Sequence, residues 1–314
     1  MRTRSTVRRG IASAVVLALT GCSLGSDPGS EGPAPLPPAV GGSNGSPQVR
    51  PGAVDEYVAL GDSYSAGAGV ADLTGPPACA RSTHNYPAFL ADWLRVGGRT
   101  DVTCASARLE AFFGEQSRPD GSVQPPQVDA LSPTTDLVTI GMGGNEDEIF
   151  ESLVVTCATV AVGDIEGSPC QDRFGDSIAE DIDDVGDALL DVLAAIEERS
   201  PEAVVVLVGY PTLVPPPGTR CEASPFASGD LAWQSDMADR LDSVMSAAAK
   251  EHGAWFVDLG SASPEEGVCA DEPWVNGTQD VPGLGWAGHP TPAGERAMAQ
   301  AVYEAITGRS APAR

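Results

Sequence analysis

The sequence predicts an α/β fold in which a five-stranded parallel sheet is covered on both faces by helices. Five short apolar runs recur between residues 57 and 259, and longer amphipathic stretches separate them. Strands that alternate with helices are joined by crossovers, which sets them parallel and places helical layers on the two faces. The length agrees: Ala53 to about Thr307 is enough chain for one domain.

Tyr57-Val58-Ala59-Leu60 reads as a first buried strand. Tyr86 to Val96 reads as a helix, with Phe89, Leu90, Trp93 and Leu94 at helical spacing. Asp101 to Cys104 is a short second strand. Asp136-Leu137-Val138-Thr139-Ile140 is a third, stopped by a glycine-rich turn. Ile178 to Glu198 forms a long amphipathic helix that ends before Pro201. Ala203 to Val208 is a fourth strand with four valines. Leu231 to His252 is a helix closed by Gly253, and Trp255 to Leu259 is the fifth strand. The last helix runs from Pro292 to Ile306, with Thr291 as N-cap and Pro292 as the first helical residue. Ligands of such sheets sit at the carboxyl ends of the strands, so chemistry is expected just after Leu60, Cys104, Ile140, Val208 and Leu259.

The N-terminus reads as an export signal. Arg2, Arg4, Arg8 and Arg9 precede an apolar run from Ile11 to Leu19, well short of the roughly 20 residues that span a bilayer. The run ends in Leu19-Thr20-Gly21-Cys22, which resembles the lipobox of bacterial lipoproteins, whose cysteine is acylated and becomes the mature N-terminus. The alternative is an ordinary secretory signal with an incidental Cys22. The expected organisation is a signal peptide over 1–21, a Gly/Ser/Pro-rich tether over 22–52 and a folded domain over 53–314.

Cysteine counting agrees with this reading. Seven cysteines leave one unpaired in an oxidising compartment, and assigning Cys22 to a lipid leaves six. These allow many pairings. Loop-closure entropy and chain order favour near neighbours: Cys79–Cys104, Cys157–Cys170 and Cys221–Cys269. With no CxxC pair among them and three histidines in the chain, no metal site is expected. The acidic strings Glu146-Asp147-Glu148 and Asp181 to Asp187 match no calcium loop and are expected to be solvated. The net charge of −26 repels nucleic acid and anionic lipid, so membrane contact has to come from acyl chains.

Three segments carry candidate chemistry. Gly61-Asp62-Ser63-Tyr64-Ser65-Ala66-Gly67 follows the first strand, where Ser63 at a helix start keeps a free N–H suited to an oxyanion. A plain N-cap serine has the same local sequence. Gly141-Met142-Gly143-Gly144-Asn145-Glu146 follows the third strand and allows close backbone approach to a ligand, although a tight turn with an Asx cap is equally compatible. Trp286-Ala287-Gly288-His289-Pro290-Thr291-Pro292 precedes the last helix. Activating a serine needs a base, and imidazole has an ordinary pKa of about 6.5. His252 sits in a helix's last turn and His84 in a polar loop, which leaves His289 as the candidate base.

In this order the three segments resemble the SGNH (GDSL-type) hydrolase family, in particular its secreted, disulfide-bonded bacterial esterases and lipases. The resemblance spans about Glu56 to Ile306, including Cys79-Ala80-Arg81-Ser82 and Tyr86-Pro87. It implies a three-layer α/β/α flavodoxin-like fold and cofactor-free hydrolysis of carboxylic esters through an acyl-enzyme. By position, Ser63 is the nucleophile, His289 the base and Asn145 an oxyanion donor. The chain departs from the family pattern in three places. Ser106 in Cys104-Ala105-Ser106-Ala107 stands where the family has its oxyanion glycine; its N–H survives, at a strain of about 1–3 kcal/mol if a positive φ is required. Glu146 stands where an aspartate is usual. Trp286 occupies the position of the triad aspartate, three residues before His289, so its backbone C=O is expected to orient the imidazole of a Ser–His dyad. The resemblance also leaves open a polysaccharide O-deacetylase, or a catalytically weak surface lipoprotein that binds lipid or glycan. The remaining expectations are an ester substrate, no nucleic-acid partner, a monomer, and attachment through Cys22 to the outer face of the cell membrane, with release from the cell as an option.

Overall fold

Period-two alternation along each strand sorts the core into two layers, one on either face of the sheet. The computed structural model describes residues 49–219 and 221–312. The expectations for the signal peptide, Cys22 and the tether up to residue 48 lie outside the described residues. Five strands build the sheet: β1 (Glu56–Gly61), β2 (Gly98–Asp101), β3 (Leu137–Gly141), β4 (Val204–Val208) and β5 (Trp255–Val257). Their order is β2-β1-β3-β4-β5, with every neighbour parallel. That is the flavodoxin-like order, whose reversal of winding between β1 and β3 opens a crevice at the strands' carboxyl ends. Among the described residues, an antiparallel ribbon pairs Gln116–Ser117 with Val123–Gln124.

One face carries α2 (Tyr86–Leu94) and α5 (Pro292–Thr307). There Tyr57, Ala59, Leu137, Val206, Val208, Trp255 and Val257 pack with Leu90, Leu94, Met298, Val302 and Ile306. The other face carries α3 (Ser177–Arg199) and α4 (Leu231–Glu251). On it Val58, Leu60, Val138, Ile140, Leu207 and Phe256 meet Ile182, Leu189, Leu193, Leu241 and Met245. Strands buried on both faces read as continuous apolar runs, which is why β1, β3, β4 and β5 fall where the sequence places them.

β2 lies three residues earlier than expected. It is an edge strand of polar, largely exposed residues, Gly98-Arg99-Thr100-Asp101, so apolar periodicity carries no trace of it. The expected segment does extend the ladder, because Val102 and Cys104 donate to the carbonyls of Ala59 and Gly61 at 3.0 Å each. β5 is shorter than expected, because Asp258 turns outward and its carboxylate caps the N–H of Ser261. Contacts with this core also reach residues before 53. Val49 is buried in the α2/α5 layer, its N–H donates to Ile306, and the N–H of Gly52 donates to Leu94.

Among the described residues, three disulfides join Cys79 to Cys104, Cys157 to Cys170 and Cys221 to Cys269, as chain order favours. The first ties the loop after β1 to the end of β2.

Candidate active site

A single turn, α1 (Ser63–Ala66), begins directly after β1 and puts Ser63 at its first position. Asp62 caps it: the Asp62 carboxylate accepts the N–H of Tyr64 at 2.9 Å and the hydroxyl of Tyr210 at 2.7 Å. The Tyr210 hydroxyl in turn accepts the N–H of Gly144 at 2.9 Å, linking the turn after β1 to the turn after β3. Gln127 grips the end of β1 from the side, exchanging two hydrogen bonds with the backbone of Gly61 at 2.8 and 3.0 Å.

His289 arrives on the loop before α5, and backbone pairing brings it to Ser63. Gly285 and Trp286 donate to the carbonyls of Gly69 and Ala68, and Ala71 donates to Gly283. The approach is so close that a Cβ on Gly69 would lie 2.5 Å from the Trp286 indole. Only glycine fits there. The result is direct contact: His289 Nε2 and Ser63 Oγ are 2.8 Å apart.

His289 Nδ1 lies 2.8 Å from the carbonyl oxygen of Ala287. A carbonyl only accepts, so Nδ1 carries the proton, and Nε2 presents a lone pair to the Ser63 hydroxyl. This corrects the expectation for Trp286. The Trp286 carbonyl is occupied by the backbone N–H of His289 at 3.1 Å and by the Asn276 amide at 3.3 Å. The reason is the turn Trp286–His289, with Gly288 at φ +67°, a conformation open to glycine at its third position. The turn's own hydrogen bond claims the Trp286 oxygen and leaves the Ala287 oxygen for the ring. The Trp286 indole instead packs edge-on to His289, with ring centroids 5.7 Å apart.

Ser106 occupies an exposed turn with φ +56°, the left-handed conformation the family glycine would adopt freely. Among the described residues, the backbone N–H groups of Ser63 and Ser106 have no intramolecular acceptor. Asn145 donates one amide hydrogen to the Ala107 carbonyl at 3.0 Å, which fastens it to the Ser106 turn and leaves its second hydrogen available. Glu146 makes a further link by accepting the N–H of Leu109, and its Oε2 is enclosed without a partner. The expectation that the whole Glu146 to Glu148 string is solvated therefore fails at Glu146. The other histidines stand apart from Ser63: His84 faces Asp72 and His252 faces Glu197.

Burial pushes the Asp62 carboxyl up to about 7, against the opposing hydrogen bonds from Tyr210 and Tyr64. Burial also raises Glu146, Asp242 and Glu295. A carboxyl with a raised native pKa binds its proton more tightly in the folded chain. Its contribution to stability is greatest below the ordinary carboxylate pKa and declines as pH rises through the native value, about 7 for Asp62. His289 acts oppositely: burial lowers its pKa, so it favours the native state as pH rises from that lowered value to the ordinary one. Four carboxyls outweigh one imidazole on a chain of net charge −26. The thermal midpoint is expected to fall by several degrees between about pH 5.5 and 8. A midpoint that rises across this interval contradicts the burial of these groups.

Known proteins resemble this chain in sequence and fold. The family model for the GDSL-like lipase/acylhydrolase family matches residues 59–297. A protein named Lipase 2 from Streptomyces coelicolor is 37% identical over 265 residues, covering 80% of this chain and 85% of its own. A protein named Esterase from Streptomyces scabiei is 31% identical, covering 74% of this chain and 77% of its own. Among solved structures, phospholipase A1 from Streptomyces albidoflavus NA297 superposes with a TM-score of 0.67 at 26% identity, over 82% of this chain and all of that one. With a family match over most of its length and a Ser–His pair at its centre, this chain belongs to the GDSL-like lipase/acylhydrolase family and is an ester hydrolase of that family.

Proposed function

We propose that the chain hydrolyses carboxylic esters through an acyl-enzyme on Ser63, with His289 alternating as base and acid. The observation that carries this reading is the 2.8 Å contact between Ser63 Oγ and an imidazole whose far nitrogen is held by the Ala287 carbonyl. Ser63 Oγ forms a bond to the ester carbon as its proton passes to His289 Nε2, and the carbonyl π pair moves onto oxygen. In this reading the N–H groups of Ser63 and Ser106 and the second Asn145 amide hydrogen donate to that oxyanion. When the tetrahedral species collapses, the carbon–alkoxide bond breaks and His289 returns the proton to the departing alcohol. Water then attacks the acyl-enzyme by the same steps, releasing the acid and restoring Ser63.

The acyl group is of the lipid type. Support comes from the lipase names of the relatives and from the apolar surroundings of the dyad, where Tyr64, Phe150 and Trp286 pack. Turnover of p-nitrophenyl esters is expected to increase from acetyl to octanoyl chains, and a fluorophosphonate is expected to label wild type but not Ser63→Ala. A sharp preference for acetyl esters, with activity on acetylated xylan, would place the chain among polysaccharide deacetylases. Absence of labelling in wild type would leave only a binding role.

The mature chain is proposed to be exported and carried on the outer face of the membrane by acyl groups on Cys22. Two features support this: the Leu19-Thr20-Gly21-Cys22 string, and the pairing of the six cysteines at 79, 104, 157, 170, 221 and 269, which leaves Cys22 as the odd thiol. Incorporation of labelled palmitate in cells, lost in Cys22→Ser, tests it. Equal labelling of the two proteins contradicts it.

A further inference from the structure

The His289-orienting group is a main-chain carbonyl, and a carbonyl in a surface loop is only as well aimed as the peptides around it. In this chain the three consecutive peptide units between Trp286 and His289 are each fixed by a partner outside the turn. The N–H of Ala287 donates to Asp280 Oδ1 at 2.8 Å. The N–H of Gly288, in the same peptide unit as the Ala287 carbonyl, donates to the Gly277 carbonyl at 2.9 Å. The Gly288 carbonyl accepts the hydroxyl of Tyr64, the residue next to the nucleophile. The Tyr64 ring also lies along the imidazole, with centroids 5.0 Å apart and planes inclined by 32°, and is backed by Tyr210 and Phe150 at 5.1 and 5.5 Å.

Gly288 has the most permissive backbone in the turn and stands at φ +67°. If either flanking peptide were released, the hydrogen bond from Gly288 to the Gly277 carbonyl would be left to hold the unit between them against a rotation that withdraws its oxygen from Nδ1. No side-chain carboxylate contacts the ring to replace it among the described residues: the hydrogen bonds of His289 go to Ala287 and Ser63. Asp280 acts on the ring by its charge, and its hydrogen bond is to the Ala287 N–H.

We propose that Asp280 and Tyr64 are positioning residues that together aim the Ala287 carbonyl at His289 Nδ1, taking over at one remove the task of a triad carboxylate. The proposal rests on the dyad mechanism above. It predicts that the hydrogen-bonding capacity of Asp280, more than its charge, sets the rate, because an asparagine in its place can still accept the Ala287 N–H.

The test compares Asp280→Ala, Asp280→Asn and Tyr64→Phe in the intact chain, with a soluble p-nitrophenyl ester as substrate. Tyr64→Phe keeps the ring and removes only the hydroxyl. Asp280→Ala alters an exposed side chain and leaves the core untouched. In Asp280→Ala and Tyr64→Phe, kcat is expected to fall roughly 10- to 50-fold with KM within about twofold, since the defect lies in stabilising the transition state. Asp280→Asn is expected to stay within about threefold of wild type. The acid limb of the kcat profile of Tyr64→Phe, which changes no charge, supplies a readout that a purely structural role leaves in place. The charged and titratable groups at His289 are Asp280 and Tyr64, with Asp62 behind Tyr64. The Nδ1–H hydrogen bond favours the imidazolium, so losing it moves the limb to lower pH even as kcat drops. Unchanged kcat in Asp280→Ala and Tyr64→Phe, a fall in kcat of Tyr64→Phe with its limb in place, or Asp280→Asn as impaired as Asp280→Ala each overturns the proposal. A rate unaffected by His289→Ala would instead defeat the dyad mechanism itself, which keeps the two failures distinct.

Discussion

Ser63→Ala is expected to lower kcat/KM on a soluble ester on the order of 10⁶-fold, with the fold intact. The substitution deletes the atom that forms the covalent intermediate, and no neighbouring hydroxyl stands in its place: Ser65 donates to the Gly141 carbonyl on the far side of α1. What remains in the proposed mechanism are the backbone N–H groups of Ser63 and Ser106 and the Asn145 amide, which are expected to polarise the ester for attack by water and leave a residual rate above background. Ser63 caps nothing, because Asp62 holds the start of α1. The melting temperature should therefore stay within a few degrees of wild type. Steady-state kinetics alongside thermal unfolding checks both halves of this expectation. Residual activity within tenfold of wild type would show that the nucleophile lies elsewhere.

The second large effect belongs to the base. His289→Ala and His289→Gln are both expected to reduce kcat on the order of 10⁵- to 10⁶-fold. Glutamine can hydrogen-bond Ser63 but cannot take its proton, so the pair of variants separates orientation from proton transfer. His289 is suited to the task because burial keeps it unprotonated below the pH at which a free imidazole would charge, while the Ala287 carbonyl and the charge of Asp280 pull in the opposite direction. Wild-type activity is accordingly expected to persist below about pH 6.5. A glutamine variant that retains a tenth of the activity would mean that the imidazole only orients the hydroxyl.

Much of the fold is legible in the sequence because it depends on burial. The valines of β4 and the alternation Tyr57-Val58-Ala59-Leu60 face apolar layers on both sides, so composition alone marks them as strands. β2 escapes because an edge strand needs only backbone pairing, and Gly98-Arg99-Thr100-Asp101 carries no apolar signal. The same division runs through the site. The pairing of Ser63 with His289 is legible because few residue types suit a nucleophile and its base and each follows or precedes a clear element. The identity of the orienting carbonyl is not, since it is decided by the backbone angles of Gly288, and the side chains of Ala287 and Trp286 do not encode which oxygen faces the ring. Tyr64 and Asp280 escape for a related reason: each acts on main-chain atoms, one of them across 224 positions in sequence. Glu146 reads as part of a solvated acidic string because its partner, the N–H of Leu109, comes from another loop.

The measurement that bears most directly on the Ser63–His289 pair is a double-mutant cycle on a soluble ester with Ser63→Ala, His289→Ala and the combined variant. Groups that act as one unit lose their function together, so the double variant is expected to be no slower than Ser63→Ala alone. If the two losses multiply, the serine and the imidazole contribute independently, and the hydrogen bond between them is not the centre of catalysis.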